Sequence, residues 1–140
     1  MADYALLYPA FLSAGAELVA LSVDPPDRSA AVAQQLSLPF PILSDTRREV
    51  ISAWGVLNAK ERGGIAIPSV FVIDRDLRLR MLAMEKTHHR VAPDDVLQFV
   101  RAMKGAEAAN QPALRTVRPG AMFIRAIVNA LRRGMRVPPE

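Results

Sequence analysis

The side chains able to carry chemistry are few and scattered. His88 and His89 are the sole histidines and are adjacent. Neighbouring positions in an extended segment face opposite ways, so joint metal binding is not expected, and a solvated stretch ahead of the last strong helix accounts for the pair better. Ser22, Ser44 and Ser69 lack a G-x-S-x-G setting, which makes strand-end or capping roles the expectation over nucleophilic catalysis. Asp24 and Asp74 follow apolar runs, where α/β proteins often place ligands, yet Asp at such points commonly starts a turn. Gly63-Gly64 has no following Lys-Ser/Thr and reads as a turn, not a phosphate loop. The sharpest observation is that the 140 residues contain no cysteine. Disulfides, cysteine-held metals and thiolate nucleophiles are therefore excluded from this chain, since no other side chain replaces the thiolate.

The elements that would position these groups follow from periodicity. Residues 2–14 place Leu6, Leu7, Ala10 and Phe11 at helical intervals, with Pro9 as an internal kink or restart and Gly15 as C-cap. Residues 16–24 form a near-continuous apolar run, as expected of a strand covered on both faces. Asp27 is placed to cap a helix over 28–36 that presents Ala31, Val32, Gln35 and Leu36. A short strand is expected over 40–43. The pattern Thr46-x-x-Glu49 predicts a capping box opening a helix to Trp54, ended by Gly55, with Trp54 in the core beside Val50 and Ile51. Residues 57–66 read as a loop or hairpin. Residues 69–74 are the clearest strand, and Arg75-Asp76 turns into a second strand over 77–84 in which Leu77, Leu79, Met81 and Ala83 share a face. Pro93, Asp94 and Asp95 open a helix to Met103, with Val96, Leu97, Phe99 and Val100 on its apolar side.

This order predicts an α/β fold with parallel pairing that ends in an antiparallel hairpin, helices on the sheet, and the strands at 16–24 and 69–74 in one sheet. Residues 1–104 form the expected domain, 105–119 a linker, and 120–136 an amphipathic basic helix. Charge divides along the same line. Residues 1–112 carry 12 Lys/Arg against 13 Asp/Glu, whereas 113–140 carry six Arg against one Glu. A solvated basic end is expected there, without specific nucleic-acid binding and without membrane contact by the tail. No run reaches the ~18–20 apolar residues of a membrane span, and no export signal is recognisable at the start, so a cytoplasmic protein is expected.

Three stretches carry a resemblance. AELVALSVDPPDRSAAVAQQLSLPFPILSD (16–45), REVISAWGV (48–56) and IPSVFVIDRDLRLR (67–80) resemble, in order and spacing, the alkyl hydroperoxide reductase/thiol-specific antioxidant proteins, the peroxiredoxins and their redoxin relatives. The similarity covers about residues 2–103. It implies a thioredoxin-like sheet lacking its first strand, and thiol antioxidant chemistry in which a cysteine reduces peroxide or a disulfide and a thiol donor restores it. In that family the reactive cysteine sits at the first turn of the helix that here begins at residue 2. The resemblance therefore places the first strand and the cysteine upstream of Met1, either removed by truncation, the favoured reading, or lost in a shortened relative. Whether the chain is an enzyme stays open, and a non-catalytic thioredoxin-like interaction domain is the alternative.

The resemblance assigns no catalytic residue, metal or cofactor to this chain. Its candidate groove is Ile67 and Pro68. Pro68 stands where typical peroxiredoxins carry an arginine, which implies kinship with the branch having a cis-proline opposite the cysteine, and so a cis Ile67–Pro68 bond. An ordinary trans-proline opening an edge strand is the competing reading. A thiol reductant, a protein partner, or a second copy filling the vacant sheet position are the partners implied.

Overall fold

The computed structural model of the chain describes residues 1–84 and 91–105. The expected linker at 105–119 and basic helix at 120–136, and His88 and His89, lie outside the described residues, save Gly105 at the end of a helix. Ten elements follow in order: α1 Ala2–Ser13, β1 Ala20–Ser22, α2 Pro26–Gln35, β2 Ile42–Ser44, α3 Glu49–Ala53, β3 Leu57–Asn58, β4 Ile65–Ala66, β5 Ser69–Ile73, β6 Leu79–Met84 and α4 Pro93–Gly105.

α1 carries Pro9 within it and stops at Ala14, after which Gly15 turns the chain at φ +82°. That left-handed conformation suits glycine, which has no Cβ to crowd the carbonyl. Tyr4, Leu7, Ala10 and Phe11 face inward, whereas Leu6, expected on that face, is 81% exposed. Phe11 is completely buried, in a cluster with Ala14 and with Val96, Leu97 and Val100 of α4. α1 and α4 thus form one layer, and Leu18, Val70, Val72 and Met81 pack against it from the strands. Lys104 Nζ donates to the Ser13 carbonyl at 3.0 Å, tying the C-terminal turn of α4 to that of α1.

α2 does not begin on Asp27. Pro25 is its N-cap and Pro26 its first residue, a place where proline's missing N–H costs nothing. Its inward side is Ser29, Val32 and Ala33, while Ala31, Gln35 and Leu36 lie exposed. The helix is rotated from the expected face because Ser29 packs against β2, where its Oγ accepts a hydrogen bond from Ser44 Oγ at 3.1 Å.

Thr46 does not cap α3 either. The buried carboxylate of Asp45 accepts the amide hydrogens of Glu49, Val50 and Ile51, each at 3.0 Å. Arg48, at φ +60°, turns the chain so that these amides converge on it. One carboxylate answering three N–H groups outcompetes a threonine hydroxyl, which can answer one, and its charge also complements the helix N-terminus.

The strands are arranged as three ladders. β1 pairs with β2 in parallel, Ala20 opposite Ile42; β3 and β4 form an antiparallel hairpin; β5 and β6 form another, Ser69 opposite Met84, with an irregularity at Val72/Ile73. The second strand of that hairpin starts at Leu79, not Leu77. Leu77 sits in the turn at φ +63° and is 42% exposed. β1 and β5, expected in one sheet, share no hydrogen-bonded sheet among the described residues. They are nevertheless held against one core, since Leu18 at the approach to β1 and Val70 and Val72 of β5 all meet the α1/α4 cluster. On the far face, Trp54 meets Phe71 edge-on at 4.4 Å.

Candidate functional site

Ile67 and Pro68 form the bridge between two ladders. The Ile67 amide donates to the Val56 carbonyl at 2.7 Å, extending the β3–β4 hairpin by one position. Its carbonyl accepts Ser69 Oγ at 2.9 Å as β5 begins. Pro68, lacking a donor, lies between these two anchored residues and is exposed, while Ile67 is half-buried. The Ile67–Pro68 bond is trans; no cis peptide occurs among the described residues. The cis expectation is thus corrected to the ordinary reading, a proline opening a strand where no ladder bond is needed.

The remaining candidates have structural employment. Ser22 Oγ donates to Asp24 Oδ2 at 2.7 Å, and Asp24 also meets Arg28 at 3.5 Å. Asp74 accepts the Arg78 amide at 2.8 Å and pairs with Arg80 at 3.4 Å, closing the β5–β6 turn. Gly63 and Gly64 occupy positive φ, and Gly64 lies under Arg48, whose Nε donates to its carbonyl at 2.7 Å. A Cβ on Gly64 would come within 3.0 Å of Arg48 Nε and 3.2 Å of Leu57 Cδ1. No cluster of three or more His, Cys, Asp or Glu side chains able to hold a metal occurs among the described residues.

The sequence reading missed Asp45 and Arg48. Asp45 is legible in hindsight as an acid just before a helix start. Arg48 carries no local signal, because its partner Gly64 lies 16 residues away. Tyr8 was missed as well. Its hydroxyl donates to Glu17 Oε2 at 2.9 Å, and its acidity is lowered first by burial, then by that bond and by the nearby negative charge, all of which raise its pKa. These groups join helices and turns; none converges on a reacting centre with another.

The family model described as AhpC/TSA matches residues 1–82, more than half of the chain. A Mycobacterium tuberculosis (strain H37Rv) protein whose name places it among the peroxiredoxins is 39% identical over 70 residues, covering 47% of this chain and 45% of its own length. A thioredoxin peroxidase of Trypanosoma brucei rhodesiense is 28% identical over 93 residues, 66% of this chain and 46% of the relative. The chain therefore spans less than half the length of these curated relatives. Among solved structures, Mycobacterium tuberculosis AhpC superimposes with a TM-score of 0.68 at 28% identity, covering 78% of this chain and 62% of that one. The motif series at 16–45, 48–56 and 67–80, the thioredoxin-like arrangement of helices and strands, and these matches agree: the chain belongs to the AhpC/TSA family.

Proposed function

We propose that this chain is the cysteine-free scaffold portion of a peroxiredoxin-type thiol oxidoreductase, and that peroxide or disulfide reduction requires a thiol supplied from outside these 140 residues. The observation that carries the reading is the complete absence of cysteine from a chain of this family. Peroxidase chemistry of this kind needs a thiolate to attack the peroxide oxygen, and the serines and tyrosines here, at ordinary pH, offer no comparable nucleophile. A thiol reductant as the ultimate electron donor is supported by a relative named for thioredoxin-linked peroxidase activity. The groove beside Ile67 and Pro68 stays the proposed point of approach, since Pro68 is exposed and brings no backbone donor of its own. The proposed location is the cytoplasm; no described helix is long and apolar enough to cross a membrane.

The test is consumption of hydrogen peroxide by the purified full chain with dithiothreitol as reductant. The expected rate equals that of buffer with dithiothreitol alone. Turnover that scales with protein concentration and survives metal chelation would remove the proposal.

A further inference from the structure

With no cysteine present, the six methionines hold all the sulfur of the chain, and the thioether is its side chain most readily oxidised by a peroxide. Their settings differ. Met81 pairs with Val72 and packs against the α1/α4 cluster, and Met103 is half-buried in α4. Met122 and Met135 lie outside the described residues. Met1, at the N-cap of α1, is 51% exposed, and Met84, the last residue of β6, is 46% exposed.

Of these two exposed thioethers, Met84 is the one with a ladder neighbour, standing directly opposite Ser69. Side chains opposed in an antiparallel pair share a face, with Cβ atoms about 4.5–5.5 Å apart, a gap that the flexible methionine side chain spans. The neighbouring positions show which face this is. Val70 and Val72 turn toward the α1/α4 cluster, so Ser69 and Phe71 turn away from it, and Phe71 accordingly meets Trp54. Met84 borders Ser69 on that second face. The Ser69 hydroxyl is already employed there, donating to the Ile67 carbonyl at 2.9 Å across Pro68. It carries a single proton to share between acceptors. A thioether accepts weakly and leaves that bond alone, whereas a sulfoxide oxygen is polar and competes for it.

We propose that Met84 is a site of oxidation by hydroperoxides, whose sulfoxide draws the Ser69 hydroxyl off the Ile67 carbonyl and loosens the segment around Pro68. A sulfur lone pair attacks the hydroxyl oxygen of the hydroperoxide, and the S–O bond forms as the O–O bond breaks. Sulfur loses two electrons. The leaving oxygen takes them, together with the proton of the transferred oxygen, and departs as water or an alcohol. Each methionine consumes one peroxide and then stops, so the reaction is not turnover. The oxidation needs no thiol, whereas its consequence for approach beside Pro68 rests on the groove proposed above. Sustained peroxide turnover by the chain would remove that proposed function and leave the Met84 chemistry standing.

The test treats the full chain with hydrogen peroxide and follows each methionine by peptide mass spectrometry. Met84 should gain one oxygen at least about fivefold faster than Met81 or Met103. The Ile67 amide donates to Val56, and its hydrogen exchange should quicken about fivefold or more on oxidation. Treatment with methionine sulfoxide reductases and dithiothreitol should slow it again. Ser69→Ala should leave the oxidation rate of Met84 unchanged and abolish the response of Ile67 exchange to oxidation. Met84→Leu should abolish the response by removing the sulfur, and Met84→Gln should reproduce it without peroxide by placing an amide oxygen near Ser69. The two Met84 variants decide the matter if Ser69→Ala does not fold. Oxidation of Met84 no faster than that of Met81, unchanged Ile67 exchange in the oxidised chain, or the same response in Met84→Leu would each overturn the proposal.

Discussion

Most of the chain's reactive-looking side chains prove to be fasteners. Asp24 and Asp74 end strands, as ligand-binding acids often do, but each spends its carboxylate within a turn. Tyr8 gives this a measurable consequence. Its pKa is raised by burial and by Glu17, so the folded state holds the phenolic proton more tightly than the unfolded chain does. The contribution of that proton is whole below the ordinary tyrosine value of about 10 and is lost as pH rises through the folded value. Stability measured by urea unfolding should therefore fall above pH 10, and Tyr8→Phe should make that fall shallower. An identical alkaline profile in the two proteins would show that the Tyr8–Glu17 contact does not persist in solution.

At the scale of elements, helix starts are where local sequence rules were most often displaced. Both Asp27 and Thr46 have the residue type and spacing of caps, and neither caps. For α2 the double proline sets the start, because Pro26 fits the first helical position without losing a hydrogen bond. For α3 the decision is Asp45, only 7% exposed, holding three amides. Removing it strands those donors in a buried setting. Asp45→Ala is expected to lower stability by about 1–3 kcal/mol, the range spanned by a lost cap and unsatisfied buried groups. Thr46→Ala, in contrast, should stay within about 0.5 kcal/mol, as an exposed site away from such features does. Chemical denaturation of the two variants checks the ranking, and a larger loss at Thr46 would restore the capping box.

For the molecule as a whole, half-covered strands predict a surface property. β1, β2 and β5 expose part of every residue, and Leu82 and Met84 of β6 are 37% and 46% exposed. Exposed apolar surface can bind hydrophobic dyes. The native full chain should enhance the fluorescence of 8-anilinonaphthalene-1-sulfonate while keeping a cooperative unfolding transition. A native chain silent toward the dye would mean that the strands are covered in solution.

The sequence by itself determined the order and type of the main elements, the hairpin after Asp74, and the exclusion of thiol chemistry, because periodicity, turn residues and composition are local properties. It was also enough for the family, whose motifs lie within continuous stretches. Which side of each helix turns inward, which acid caps α3, and how Arg48 finds Gly64 depended on residues distant in sequence, so only tertiary packing settled them. The trans bond before Pro68 belongs with these, since local sequence permits both isomers and neighbouring strands select one. The separation of β1 from β5 was likewise decided in three dimensions: apolar patterning states that a strand wants two covered faces and two bonded edges, but not whether the neighbours that would supply them are at hand.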